Sequence, residues 1–311
     1  MVDKKPLVLV LGATGNTGRS IVDGLLKSGQ YSVAALTRPS SASKPEVDVL
    51  RSQGVEIRIG DYTSDPPEKL AEYVDNVFAL VSAVSAKGTE PQKAILKVAV
   101  DKGVKRIIPS DFGTPGAKDV RALNDVKLEI RDLMKDWCAA SNGVSTYTFV
   151  DIGWWMEYLL PSSSKYHTRH DKPFIMTDVT TVGAYIARIL GDPRAANRYV
   201  IVWQDELPLR KAREIAEVAS GEAEAIRKRR YMTSVSFPVT RARPATMDAD
   251  ALPRAIWNIS EYMISIHYLG ECTLENAKKL GAVDVRELYP DIVPKSFEHF
   301  AKSHYNAGSA A

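Results

Sequence analysis

The chain has 311 residues, of which 45% are hydrophobic and 25% charged, enough for one large domain or a nucleotide-binding domain with a smaller lobe. Its formal net charge of +3 is too small to make nucleic acid the expected main partner. Two cysteines far apart, Cys138 and Cys272, with no Cys-x-x-Cys spacing, and histidines that form no ligand motif argue against a disulfide framework or a metal site.

In chain order, residues 6–11 form a short apolar strand that runs into Gly12. Apolar residues then recur at helical spacing over 21–26, and Gly29 closes that helix. Residues 31–36 and 55–59 read as strands, 68–73 as a helix, 77–84 as a fully buried strand, 92–102 as a helix and 104–109 as a fifth strand. Strict alternation of strand and helix with few hairpin signals predicts an α/β fold on a doubly wound parallel sheet. In such a sheet the ligand crevice lies outside the carboxyl ends of the strands. Further on, 119–140 is one long helical segment, 145–150 a strand, 180–190 a helix, 198–203 a strand and 209–219 a helix. Residues 161–164 read as a loop, and 234–241 and 251–268 as much of a smaller C-terminal substrate lobe. The expected division is a nucleotide-binding core over 1–150 and a region over 151–311 that is mainly lobe, with some segments returning to the core. No apolar run has the length of a membrane span, and none near Met1 makes a signal-peptide core, so a cytoplasmic protein without a membrane partner is expected.

Gly12-Ala-Thr-Gly15-Asn-Thr-Gly18 follows the first strand and opens the first helix. Glycines there permit a tight turn and close approach of backbone to a pyrophosphate, and the helix start offers free N–H groups at a positive dipole end. Gly12, Thr14, Gly15, Asn16, Thr17 and Gly18 are therefore candidate dinucleotide contacts. The strand–loop–helix context is what separates them from an ordinary glycine-rich turn. The second strand ends at Leu36-Thr37-Arg38. An acid here would hold the ribose 2′-hydroxyl of NAD, whereas an arginine offers a planar fork of donors to the 2′-phosphate of NADP(H). Arg38, with Lys44 as a second cation, points to NADP(H); the alternative is a solvated surface arginine.

Projected at about 100° per residue, the segment 119–140 gathers Leu123, Val126, Ile130, Leu133, Met134, Trp137 and Cys138 into one apolar arc. Lys127 falls inside that arc. Such a lysine either snorkels, its stem packed and its ammonium in water, or points into a cleft where proton transfer is useful. No Tyr-x-x-x-Lys pair occurs anywhere in the chain, so redox chemistry here needs another acid or base.

These residues together resemble the isoflavone reductase-like branch of the atypical short-chain dehydrogenases, which includes phenylcoumaran benzylic ether reductases, within the NmrA-like grouping. The resemblance rests on the glycine loop, on Gly54-Val-Glu-Ile-Arg-Ile-Gly60-Asp61 and on Val104-Lys-Arg-Ile-Ile-Pro-Ser-Asp-Phe112-Gly113. Thr181-Val-Gly183, Asp192-Pro-Arg194 and Leu288-Tyr-Pro-Asp291 continue it. It implies a Rossmann-type NADP-binding fold, NADP(H) as cofactor and Lys127 as catalytic general acid/base. It also implies that Ser82, Ala83 and Val84 pass the nicotinamide ribose, that Gln92 lies near the cofactor, and that Ser110, Asp111 and Phe112 border the nicotinamide. Asp111 stands where the family usually has glutamate. The stretch Asp151-Ile-Gly-Trp154-Trp155-Met156 also departs from the plant pattern, so a plant substrate does not carry over.

The expected activity is an NADPH-dependent oxidoreductase passing hydride to an aromatic or conjugated small molecule. Trp154, Trp155, Met156 and Tyr158 are candidates for an apolar pocket wall, though core packing explains them equally well. A non-catalytic NADP(H)-sensing regulator or a quinone reductase of the same fold are the alternatives, and Lys127 separates the first of these from an enzyme. The sequence leaves the oligomeric state open between monomer and homodimer.

Overall fold

The computed structural model describes residues 5–160, 172–221, 223 and 259–308. The expected loop at 161–164, the segment 234–241 and part of 251–268 lie outside the described residues.

Eight strands form one sheet: β1 (Leu7–Leu11), β2 (Ser32–Thr37), β3 (Glu56–Ile59), β4 (Ala79–Ser82), β5 (Arg106–Ile108), β6 (Thr146–Asp151), β9 (Arg198–Ile201) and β11 (Ala282–Asp284). Their order across the sheet is β11-β9-β6-β5-β4-β1-β2-β3, and every neighbouring pair is parallel. Strand order reverses between β1 and β4, which pair with Leu9 opposite Leu80. That reversal is the switch point at which open α/β sheets bind ligands.

The alternation of side chains along β1 explains why the sheet is covered on both faces. Val8 and Val10 join Ile21, Val22 and Leu25 of helix α1 (Asn16–Ser28) in one core. Leu9 and Leu11 join Leu96 of α5 (Gln92–Asp101) and Met134 of α6 (Ala122–Ala140) in the other. Each such aliphatic side chain, fully withdrawn from water, contributes roughly 1.5–3 kcal/mol. Helix α7 (Val182–Gly191) lies against α1 at near backbone contact: a Cβ on Gly24 would meet the Gly183 carbonyl carbon at 2.2 Å. The Ser20 hydroxyl accepts the Gly183 N–H there at 3.0 Å.

A second, three-stranded sheet is ordered β10 (Asp205–Pro208), β8 (Pro173–Thr177), β7 (Trp154–Trp155), with β8 antiparallel to β10 and parallel to β7. Met156, Phe174 and Met176 pack there with Leu209 of α8 (Leu209–Ser220) and with Phe297 and Phe300 of the helix Phe297–Gly308. Strand β9 serves both bodies, with Val200 in the core of the large sheet and Ile201 in that of the lobe.

The strands expected from sequence occur within a residue or two of their places. The helices α2 (Pro45–Ser52), α3 (Pro67–Tyr73) and α4 (Ala86–Thr89) complete the nucleotide half. The structure adds α2, whose Pro45 at the first turn and acidic Glu46 and Asp48 are ordinary helix-start signals. It also adds β7, β10 and β11, which are too short for an alternating pattern to register, and β8, whose Phe174–Thr177 run is buried throughout and so does not alternate.

Candidate active site

The loop between β1 and α1 turns on Gly12, whose φ of +74° is left-handed. A Cβ there would lie 2.4 Å from the Ala83 carbonyl oxygen, so β4 approaches too closely for any side chain. Gly18 is equally constrained, since its Cβ would sit 2.0 Å from the Gly12 carbonyl oxygen. The Gly15 N–H donates back to Gly12 at 3.0 Å, and the helix begins at Asn16. Helix α1 has no side-chain cap and no acid in its first turn. Its opening N–H groups and positive end therefore face the cleft, as anion binding requires.

From this loop a cleft of about 620 Å³ runs toward the end of β2, where Arg38 and Lys44 line it together. Both are exposed. Tyr62 and Lys87, which sequence reasoning did not single out, line the same space. Burial raises the Tyr62 hydroxyl pKa and the Arg38 charge partly opposes that rise, which places the guanidinium within electrostatic reach of the ring.

In the other direction a smaller arm of about 280 Å³ reaches Ser110, Asp111, Phe112, Lys127 and Trp155, with Asn16 and Thr17 at its loop end. Gly15, Ala83, Val84 and Ser85 line both arms. The two therefore form one channel over the switch point, with cations at one end and Lys127 at the other.

Three of the expected cofactor residues stand behind this lining. Gln92 is fully buried; its amide donates to the Thr89 carbonyl at 3.0 Å and its Oε1 accepts the Ser110 N–H at 3.0 Å. The Ser110 hydroxyl in turn donates to the Val84 carbonyl at 2.9 Å. Gln92 thus ties the end of α4 to the turn after β5, and Ser110 ties that turn to the end of β4. Ser82 is wholly buried, and Gly18 acts by packing against the loop. Of the four expected pocket-wall residues, Trp154, Trp155, Met156 and Tyr158, only Trp155 lines the channel. Tyr158 stacks on it outside, with ring centroids 5.3 Å apart and planes 5° from parallel. Met156 is buried in the lobe, and Trp154 packs against the same lobe and against Tyr262, 5.9 Å away.

Lys127 is half-buried, and its ammonium donates to the Asp111 backbone carbonyl. The Asp111 carboxylate turns the other way and takes Arg131 Nε at 3.1 Å. Arg131 also grips Asp151 Oδ2 at 2.9 Å, and the Tyr199 hydroxyl donates to that same oxygen at 2.7 Å. The guanidinium lies 4.4 Å from the Tyr199 ring centroid and 5.4 Å from that of Phe149. Burial pushes the Asp111 carboxyl up to about 6, with Arg131 opposing and Asp151 adding to the rise. Burial would raise Asp151 as well, but Arg131 and the Tyr199 hydrogen bond outweigh it and hold that carboxyl below its usual range. Arg131, Asp151 and Tyr199 were not anticipated; the one available signal was that Arg131 follows Lys127 by four positions and so shares its helix face.

Among the described residues no His, Cys, Asp and Glu cluster could hold a metal ion, and no helix is long and apolar enough to cross a membrane. Over 318 residues the chain is 29% identical to asnovolin J 5',6'-dehydrogenase nvfM of Aspergillus novofumigatus, covering 95% of this chain and 94% of that protein. It is 26% identical over 220 residues to isoflavone reductase homolog A622 of Nicotiana tabacum, covering 64% and 68%. The solved structure of AtPrR2 with NADP+ and (+)pinoresinol has the same fold, with a TM-score of 0.71, 20% identity and coverage of 96% and 99%. The model of the NmrA-like family matches residues 4–301, and the chain belongs to that family.

Proposed function

We propose that this protein is an NADPH-dependent reductase that acts on a small aromatic or conjugated molecule, with Lys127 as general acid or base. The observation that carries this reading is the single channel that joins Arg38 and Lys44 to Lys127 across the glycine loop. AtPrR2, whose fold the chain shares, has been solved with NADP+ and (+)pinoresinol, and the curated relatives are named as a dehydrogenase and an isoflavone reductase homolog.

The residues fit the dinucleotide. Bare backbone at Gly12 and Gly15 and the start of α1 suit a pyrophosphate. Arg38 and Lys44 suit the 2′-phosphate, Arg38 through paired donors. When bound, NADPH supplies the hydride. Ala83, Val84, Ser110, Asp111 and Phe112 wall the far arm, and the Gln92 brace fixes the spacing of that wall. Lys127, oriented by the Asp111 carbonyl, holds the proton that balances the transfer at the substrate atom. Phe112 and Trp155 exclude water and offer apolar faces to a ring, and Tyr158 extends Trp155 outward. A cofactor sensor would use the Arg38 arm and would have no use for the lysine. The two free, buried cysteines, Cys138 and Cys272, accord with a cytoplasmic setting.

A screen of conjugated enones, aromatic alkenes and quinones for NADPH oxidation tests this function. Turnover with one of these classes is expected. Tight NADPH binding without turnover of any of them would favour the regulatory alternative.

A further inference from the structure

Gly113 follows the turn that carries Asp111 and Phe112, and its side-chain-free face looks onto three polar atoms. A Cβ built there would lie 3.2 Å from Lys127 Nζ, 3.5 Å from the Asp111 carbonyl oxygen and 4.0 Å from Asp151 Oδ1. The two oxygens of Asp151 therefore have different surroundings. Oδ2 is taken by Arg131 and by the Tyr199 hydroxyl, while Oδ1 is turned toward the space that the ammonium enters. Backbone bonds fix this geometry: Phe112 N–H donates to Val150 at 2.8 Å, and the Gly113 carbonyl accepts the N–H groups of Ile152 and Gly153 at 2.9 and 3.0 Å. The turn and the end of β6 are thus held as one piece.

We propose that Asp151, clamped by Arg131 and Tyr199, is the positioning partner of Lys127 across the open face of Gly113. This rests on the reading of Lys127 as the acid/base group and adds to it the group that keeps its ammonium aimed into the channel. The charges agree: Asp111 and Asp151 face Arg131 and Lys127, two against two, in a buried region where an unmatched charge is costly. From the other packed elements, Leu123 and Trp155 are uncharged, and Lys93 of α5 is paired with Glu129 at 2.7 Å. Asp111 and Asp151 are therefore the acids that act on the ammonium. Asp151 touches no reacting atom in this arrangement; it acts through Lys127.

The test needs no substrate. The full-length protein is trace-labelled with acetic anhydride at one mildly alkaline pH, and acetylation of Lys127 is followed by peptide mass spectrometry. In Asp151→Asn the ammonium loses the carboxylate that keeps it aimed across Gly113, its tip is freed toward the reagent, and labelling should be severalfold faster. Asp132→Asn, which removes an exposed acid paired with Lys135, should leave the rate unchanged. Gly113→Ala puts a methyl group between Lys127 and Asp151 at the cost of moving only a flexible lysine tip, and it should also speed labelling severalfold. An unchanged Lys127 rate in folded Asp151→Asn overturns the proposal. If that variant does not fold, an unchanged rate in Gly113→Ala overturns it. Failure here leaves Lys127 free to be catalytic, whereas retained turnover in Lys127→Ala would remove the role of the lysine itself.

Discussion

Asp111 and Arg131 form a buried ion pair at 3.1 Å on the reverse side of the very residue whose carbonyl receives the Lys127 ammonium. One residue thus links the channel to the charge network beneath it. The carbonyl faces the proposed chemistry, and the carboxylate faces Arg131, Asp151 and Tyr199.

This link has a pH signature. The Asp111 carboxyl rises from its ordinary 3.8 to about 6 in the fold. Below the lower value both folded and unfolded states are protonated and the group contributes nothing. As pH rises toward about 6 the unfolded chain releases its proton first, so stability is lost, by roughly 3 kcal/mol once the folded carboxyl is ionised. Asp111→Asn should therefore gain stability relative to the parent as pH rises through this window, measured by denaturant melts at several pH values. Parallel pH profiles for the two proteins would show that Asp111 does not titrate in this way.

Arg38→Ala should weaken NADPH binding by about 10- to 100-fold, the worth of charge-assisted hydrogen bonds to a phosphate. NADH affinity should hardly change. Fluorescence titration with both cofactors measures this, and an unaltered NADPH preference would place the 2′-phosphate elsewhere.

Gly12→Ala should destabilise the fold by at least ~1–3 kcal/mol, because a left-handed φ and a backbone oxygen 2.4 Å away both oppose the methyl. NADPH affinity should fall with it. A parent-like melting temperature would mean that β4 and the loop can separate without cost.

Trp155→Ala should raise the substrate KM about tenfold, from lost stacking and apolar area, and leave the NADPH Kd within about twofold. Steady-state kinetics and cofactor titration on the same preparation separate the two effects; equal losses in both would make Trp155 a cofactor residue or a structural one.

The nucleotide half was legible because its signals are local. Alternating strands and helices, a glycine loop at a strand end and Arg38 after the second strand all lie within short windows. Lys127 was legible as a charge out of phase with its helix face. The network below it was not, since Arg131, Asp151 and Tyr199 come from α6, β6 and β9 and meet only when those elements pack side by side. Gln92 is a milder case. Resemblance put it near the cofactor, but its burial and its bond to Ser110 make it a brace behind the wall. The four expected pocket-wall residues divided for a similar reason. β7 is only two residues long, and once Trp155 faces the channel, Trp154 is turned toward the lobe.

The most direct measurement is turnover and NADPH affinity of Lys127→Ala beside the parent, with any substrate that supports NADPH oxidation. Loss of general acid/base catalysis should lower kcat by about 10²- to 10⁴-fold with the NADPH Kd within about twofold. A variant that turns over at the parent rate would contradict the proposed role of Lys127.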